Sequence, residues 1–144
     1  MEIKNYNEVI GEVVKEVYVG EYETSLLLEF ESGNGLLLTH YQDCCEYVAI
    51  DDIVGGKLED LKGQKILKFE EVINIDLDEK PKNLDIDEEI YSSTWTFYKI
   101  STFKDDITIR WFGTSNGWYS EKVDVEHITD GDKLKSIKKN YFKQ

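Results

Sequence analysis

Both cysteines, one of the two histidines and two carboxylates fall within seven residues, His40-Tyr41-Gln42-Asp43-Cys44-Cys45-Glu46. His40 and Cys44 stand four positions apart, with Asp43 and Cys45 beside Cys44. Zinc takes about four N, S or O ligands in a tetrahedron and favours thiolate and imidazole. Soft thiolates next to a histidine select zinc over magnesium or calcium. His40, Asp43, Cys44 and Cys45 are therefore the candidate metal ligands, and His127 is a candidate to complete the set. In a regular strand, neighbouring side chains point to opposite faces, so Cys44 and Cys45 share one ion only if the segment is a loop or a helical turn. Two other readings stay open. A cysteine is a small hydrophobe that is often simply buried. A cysteine with a histidine base is also a nucleophile when its thiolate is stabilised, although Asp43 and Glu46 oppose that by raising a neighbouring thiol's pKa. In a reducing compartment two adjacent thiols argue against a structural disulfide, and a bond between sequence neighbours is geometrically awkward.

The elements that must position this stretch are strands. Ser25–Phe30 and Leu36–His40 are apolar runs joined across Gly33-Asn34-Gly35, whose residues supply the positive φ of a hairpin loop. His40 then ends the hairpin 25–40, and the ligand-rich stretch begins where the strand leaves the sheet. Residues 11–19 and 64–75 read as further strands and 47–54 as a strand end followed by a turn, with one short helix near 57–62 stopped by Gly63. Residues 91–128 alternate in the manner of a three-stranded antiparallel meander. Its last two strands form a hairpin at 106–128 turned by Asn116-Gly117, with Tyr119, Val123 and Val125 inward. A C-terminal helix capped near Asp130 is expected over the basic tail 133–144. The fold class is mainly β (α+β), as one domain over residues 1–144, with polar ends at 1–10 and 133–144 of the kind that fray.

The formal charge is −13, from 30 acidic and 17 basic residues, and this excludes a generic binder of nucleic acid or anionic membrane. It favours a partner with a basic surface. Residues 76–89 hold seven carboxylates around the only proline and read as an acidic loop: a patch for a basic partner, or a solvated linker. The single arginine, Arg110, lies between Ile109 and Trp111, where an ion pair or an aromatic stack is expected. Trp95, Trp111 and Trp118 are core or rim residues, and any exposed one is a candidate interface anchor. No phosphate-binding glycine loop, nucleophile elbow or zinc-protease helix motif is present. No charged and apolar leader opens the sequence, and no apolar run nears the roughly 18–20 residues that span a bilayer, so a cytoplasmic protein is expected.

Three ordered stretches carry a resemblance. They are His40 to Glu46, Trp95-Thr96-Phe97-Tyr98, and the run from Thr108 to Glu121 that contains Arg110, Gly113, Ser115, Asn116, Gly117 and Tyr119. The pattern H-x-Q-D-C-C-E, W-T-F-Y, T-I-R-W-x-G-x-S-N-G-x-Y-S-E resembles a family of small phage and prophage domains of unassigned general role, over roughly residues 25–126. At least one similar protein is a zinc-containing anti-CRISPR inhibitor of a type II effector nuclease. The resemblance implies a phage-encoded anti-CRISPR protein acting in the host cytoplasm, with an acidic surface set against the nuclease or another basic nucleic-acid-binding protein. It also implies a structural zinc on His40, Cys44 and Cys45, with Asp43 next. The alternatives are a metal-dependent or thiol enzyme on the same residues, and an acidic structural or regulatory module.

Overall fold

The structure, a computed structural model, describes residues 1–75, 79–84 and 92–144. Ten strands and one helix run β1 (Glu2–Asn5), β2 (Val14–Val19), β3 (Ser25–Phe30), β4 (Gly35–Thr39), β5 (Tyr47–Val54), β6 (Lys68–Ile75), β7 (Ser92–Ser101), β8 (Asp106–Ser115), β9 (Asp124–Ile128), α1 (Gly131–Lys138) and β10 (Phe142–Lys143). They make two five-stranded antiparallel sheets, ordered β1-β6-β7-β8-β5 and β10-β2-β3-β4-β9. The mainly β class holds, as do the hairpin at 25–40, a short 3-10 helix at Leu58–Leu61 and the C-terminal helix. Among the described residues no helix is long and apolar enough to cross a membrane.

One core lies between the sheets. The second sheet contributes Val17, Leu26, Leu28, Phe30, Leu36 and Leu38, and the first Phe69, Tyr98, Ile100, Ile109 and Trp111. Strand periodicity sends Leu27 and Leu37 to the opposite face, where Ile128 and Leu134 of α1 cover them. Burial on both faces is why β3 and β4 read as unbroken leucine runs rather than alternating ones. The helix starts on Asp130, whose carboxylate accepts from the N–H groups of Asp132 and Lys133. Lys138 then donates to Glu29 at 2.6 Å and pins the helix to the sheet. In the core, Glu71 accepts from the hydroxyls of Tyr6 at 3.1 Å and Tyr98 at 2.8 Å, which satisfies an otherwise costly buried carboxylate. Burial, with the Glu71 charge added, pushes both phenols above their ordinary pKa.

Two expectations are corrected. Residues 106–128 are not a hairpin, and 91–128 is not a meander. β8 pairs with β7 on one side and with β5 on the other, so no edge of β8 is left for a returning strand. The chain after Gly117 crosses to the second sheet instead, where β9 pairs with β4. At the ends of the chain, Glu2–Asn5 pairs with β6, and Phe142–Lys143 pairs with β2. Of the acidic stretch 76–89, residues 76–78 and 85–89 lie outside the described residues, as does Tyr91.

Candidate functional site

The loop 40–46 joins β4 in one sheet to β5 in the other, and its two ends are held differently from its tip. At the base, His40 and Glu46 are buried. At the tip, Asp43, Cys44 and Cys45 are exposed. The Glu46 carboxylate turns back on its own loop: Oε1 accepts from the N–H of Asp43 at 2.8 Å and of Cys44 at 3.0 Å. The Gln42 amide donates to the carbonyls of Cys44, at 3.2 Å, and Glu46. Three side chains of the H-x-Q-D-C-C-E stretch, those of His40, Gln42 and Glu46, are thus spent on shaping the loop.

His40 Nδ1 lies 2.7 Å from the Lys122 carbonyl. A carbonyl only accepts, so Nδ1 carries the proton and Nε2 is left to act. Nε2 stands 3.9 Å from Glu46 Oε1 and, like Glu46 Oε2, is buried without a hydrogen-bond partner. Burial pushes the Glu46 carboxyl pKa up. The two loop N–H groups and His40 outweigh that, and the net position is below the ordinary 4.5.

Of the four candidate ligands, His40 faces inward while Asp43, Cys44 and Cys45 are exposed. The structure joins Cys44 to Cys45 in a disulfide, against the expectation of two free thiols. Among the described residues no three His, Cys, Asp or Glu side chains converge as a metal-binding group. His127 lies on β9 opposite Leu36, three register positions from the Thr39↔Asp124 pair next to the loop. His40 has one ring N–H fixed by a backbone carbonyl and the other nitrogen without a hydrogen-bond partner.

Lys122 connects this loop to the turn after β8. Ser115 Oγ accepts from the Gly117 N–H at 3.0 Å and donates to Glu121 Oε2 at 2.5 Å, and Thr94 donates to Glu121 Oε1 at 2.7 Å. Gly117 sits at φ +93°, and Asn116 Oδ1 receives the Trp118 N–H. A Cβ at Gly113 would lie 2.8 Å from the Glu121 carbonyl, so that position needs glycine to let the turn close onto the sheet. Glu121 is a site residue that spacing did not single out.

A second polar site covers the outer face of the first sheet. Arg110 donates two bonds to Asp52, at 2.5 and 2.9 Å, and one to Glu79 at 3.1 Å. Its guanidinium also lies 5.1 Å from the Trp95 ring and 5.8 Å from Phe97. Both expected roles, ion pair and stack, are met at once. The hydrogen bond from Arg110 is the main reason the Asp52 carboxyl stays below its ordinary value. A register shift between Ile50 and Asp52 turns Asp51 aside, and its carboxylate accepts from the N–H groups of Lys82, Asn83 and Leu84.

Residues 7–125 match a family model described as a domain of unknown function, DUF7448. No curated protein and no solved structure matches the chain.

Proposed function

The chain belongs to the DUF7448 family of domains of unknown function, and from that premise we propose that it is a binding protein: a phage-encoded inhibitor of a basic host nuclease, of the type II CRISPR effector class. The observation that carries the reading is the net charge of −13. Several of its cations are engaged locally, Lys62 with Glu16, Lys104 with Asp60, Lys133 with Glu126 and Lys138 with Glu29, which leaves the acidic excess to the surface. A nuclease of this class holds nucleic acid in a positively charged channel, and an acidic surface competes for it by charge complementarity. The resemblance of the 40–46, 95–98 and 108–121 stretches to phage domains supports the same reading.

In this reading the 40–46 loop is a clamp. His40 Nε2 is available to a zinc ion once Lys122 has fixed Nδ1–H, and reduction of the Cys44–Cys45 bond supplies two thiolates, with Asp43 beside them. The ion would be structural and linked to folding. Pull-down and DNA cleavage with the effector nuclease test the function. Full cleavage at excess protein removes the proposal, and inhibition unmoved by salt removes its electrostatic basis. Elemental analysis of reduced protein purified without chelator tests the zinc.

A thiol or metal enzyme on His40, Cys44 and Cys45 is the second reading, favoured by one observation: both cysteines are exposed. Rapid alkylation after reduction, with activity lost in step, would support it over the clamp.

A further inference from the structure

Between the inner face of the first sheet and the turn after β8 lies a cleft of about 320 Å³. This is at the small end of the roughly 300–1,000 Å³ of ligand sites. Ile73, Thr94, Thr96 and Ser115 line it from the sheet, and Tyr119 and Glu121 from the turn. Glu121 sets the polarity of its floor. A carboxylate accepts and does not donate, so the hydroxyl protons of Thr94 and Ser115 are spent on Glu121. What Thr94, Ser115 and Glu121 still offer the cleft is acceptor capacity, because an ionised carboxylate has about four acceptor positions and two are taken here. Glu2 and Lys122 also line the cleft, so it carries two carboxylates against one ammonium. The group that answers the acceptors around Glu121 and the net negative charge is an N–H donor bearing positive charge. Trp118, between the cleft-lining Gly117 and Tyr119 in the sequence, is 88% exposed.

We propose that this cleft receives the cationic end of a lysine or arginine side chain from a basic partner protein, with Glu121 as counter-charge. The inference rests on the basic partner proposed above and names where on this chain that partner is read. Arginine is the better fit, since its planar fork offers five donors.

The test uses the full chain and short peptides, read by amide NMR shifts. Blocked Gly-Arg-Gly and Gly-Lys-Gly should give saturable shifts at Thr94, Ser115, Gly117 and Glu121, and Gly-citrulline-Gly, the neutral isostere, should not. Glu121→Gln keeps an acceptor oxygen for one of the two hydroxyls, removes the charge, and should weaken the arginine peptide roughly tenfold or more, the scale of one charge-assisted hydrogen bond. If that variant does not fold, Glu2→Gln on the exposed β1 strand decides, with a smaller loss expected. Equal binding of the citrulline peptide, shifts confined to other surfaces, or no saturable shift would each overturn the proposal. Inhibition of the nuclease by Glu121→Gln at wild-type strength would remove the cleft as the contact and leave the proposed function standing. Peptide binding by a wild-type chain that does not inhibit would do the reverse.

Discussion

Glu46 and Asp51 lie five residues apart, both buried, and each holds a loop by accepting backbone N–H groups. Asp51 reaches a segment 31 to 33 positions away and spends both oxygens on it. Its neighbour Asp52 is paired bidentately with Arg110, which sits on Trp95 and also reaches Glu79. The charges of Asp51, Asp52 and Arg110 are each answered by protein groups. Glu46 closes only on its own loop, and Glu46 Oε2 and His40 Nε2 remain buried with nothing to bond. Native structures leave few buried polar atoms in that state. The difference marks the first region as a strap and the second as the one with buried polar atoms left over.

The comparison breaks most readily at the strap. Arg110→Ala should cost about 3 kcal/mol in urea unfolding, because it takes the charge-assisted partner from the half-buried Asp52 carboxylate; a loss under about 1 kcal/mol would mean that the pair behaves as an exposed one. Arg110→Lys should recover only part, since a point charge does not reproduce the fork. Glu46→Ala should cost less, about 2 kcal/mol, and should speed amide exchange at Asp43 and Cys44 while leaving Lys82 and Asn83 protected. Asp51→Ala should give the opposite exchange pattern. If both variants exposed both segments, the two regions would not be independent.

Acid sharpens the comparison further. Glu46 and Asp52 both titrate below their ordinary 4.5 and 3.8, so in this range the unfolded chain binds more protons than the folded one. Their stabilisation is complete above about pH 4.5 and is lost as pH falls through the folded values. Arg110→Ala should flatten the part due to Asp52, measured as unfolding midpoint against pH. The smallest effect belongs to the disulfide. Cross-linking neighbours closes almost no loop, so reduction alone should barely move Tm. Zinc added to the reduced protein should raise Tm if the loop is a metal clamp; no rise in Tm and no bound zinc would retire that role.

The sequence was most legible where the cause is local. Gly33-Asn34-Gly35 marks the first hairpin, and Gly33 takes φ +93°. Asp130 caps its helix as expected. Arg110 could be read because a lone arginine among acids and aromatics has few other places to go. The site was legible as a stretch and not as an arrangement. Glu46 reads in the sequence as a neighbour that raises a thiol's pKa, yet its carboxylate is buried while both cysteines are exposed. Glu121 ends the third stretch of the resemblance, but its role was not legible, because its partners Thr94 and Ser115 come from β7 and β8.

Composition and periodicity determined by themselves that this chain forms strands, where most of them turn, and that its surface is acidic. Those properties depend on residues within a few positions of one another. Tertiary structure alone decided which sheet each strand joins. The alternation of Val123 and Val125 suits either sheet, and β9 went to β4 because β5 already occupied the open edge of β8. It also decided which carboxylates are answered and which polar atoms are left over, since that depends on groups the fold brings from 31 to 82 residues away.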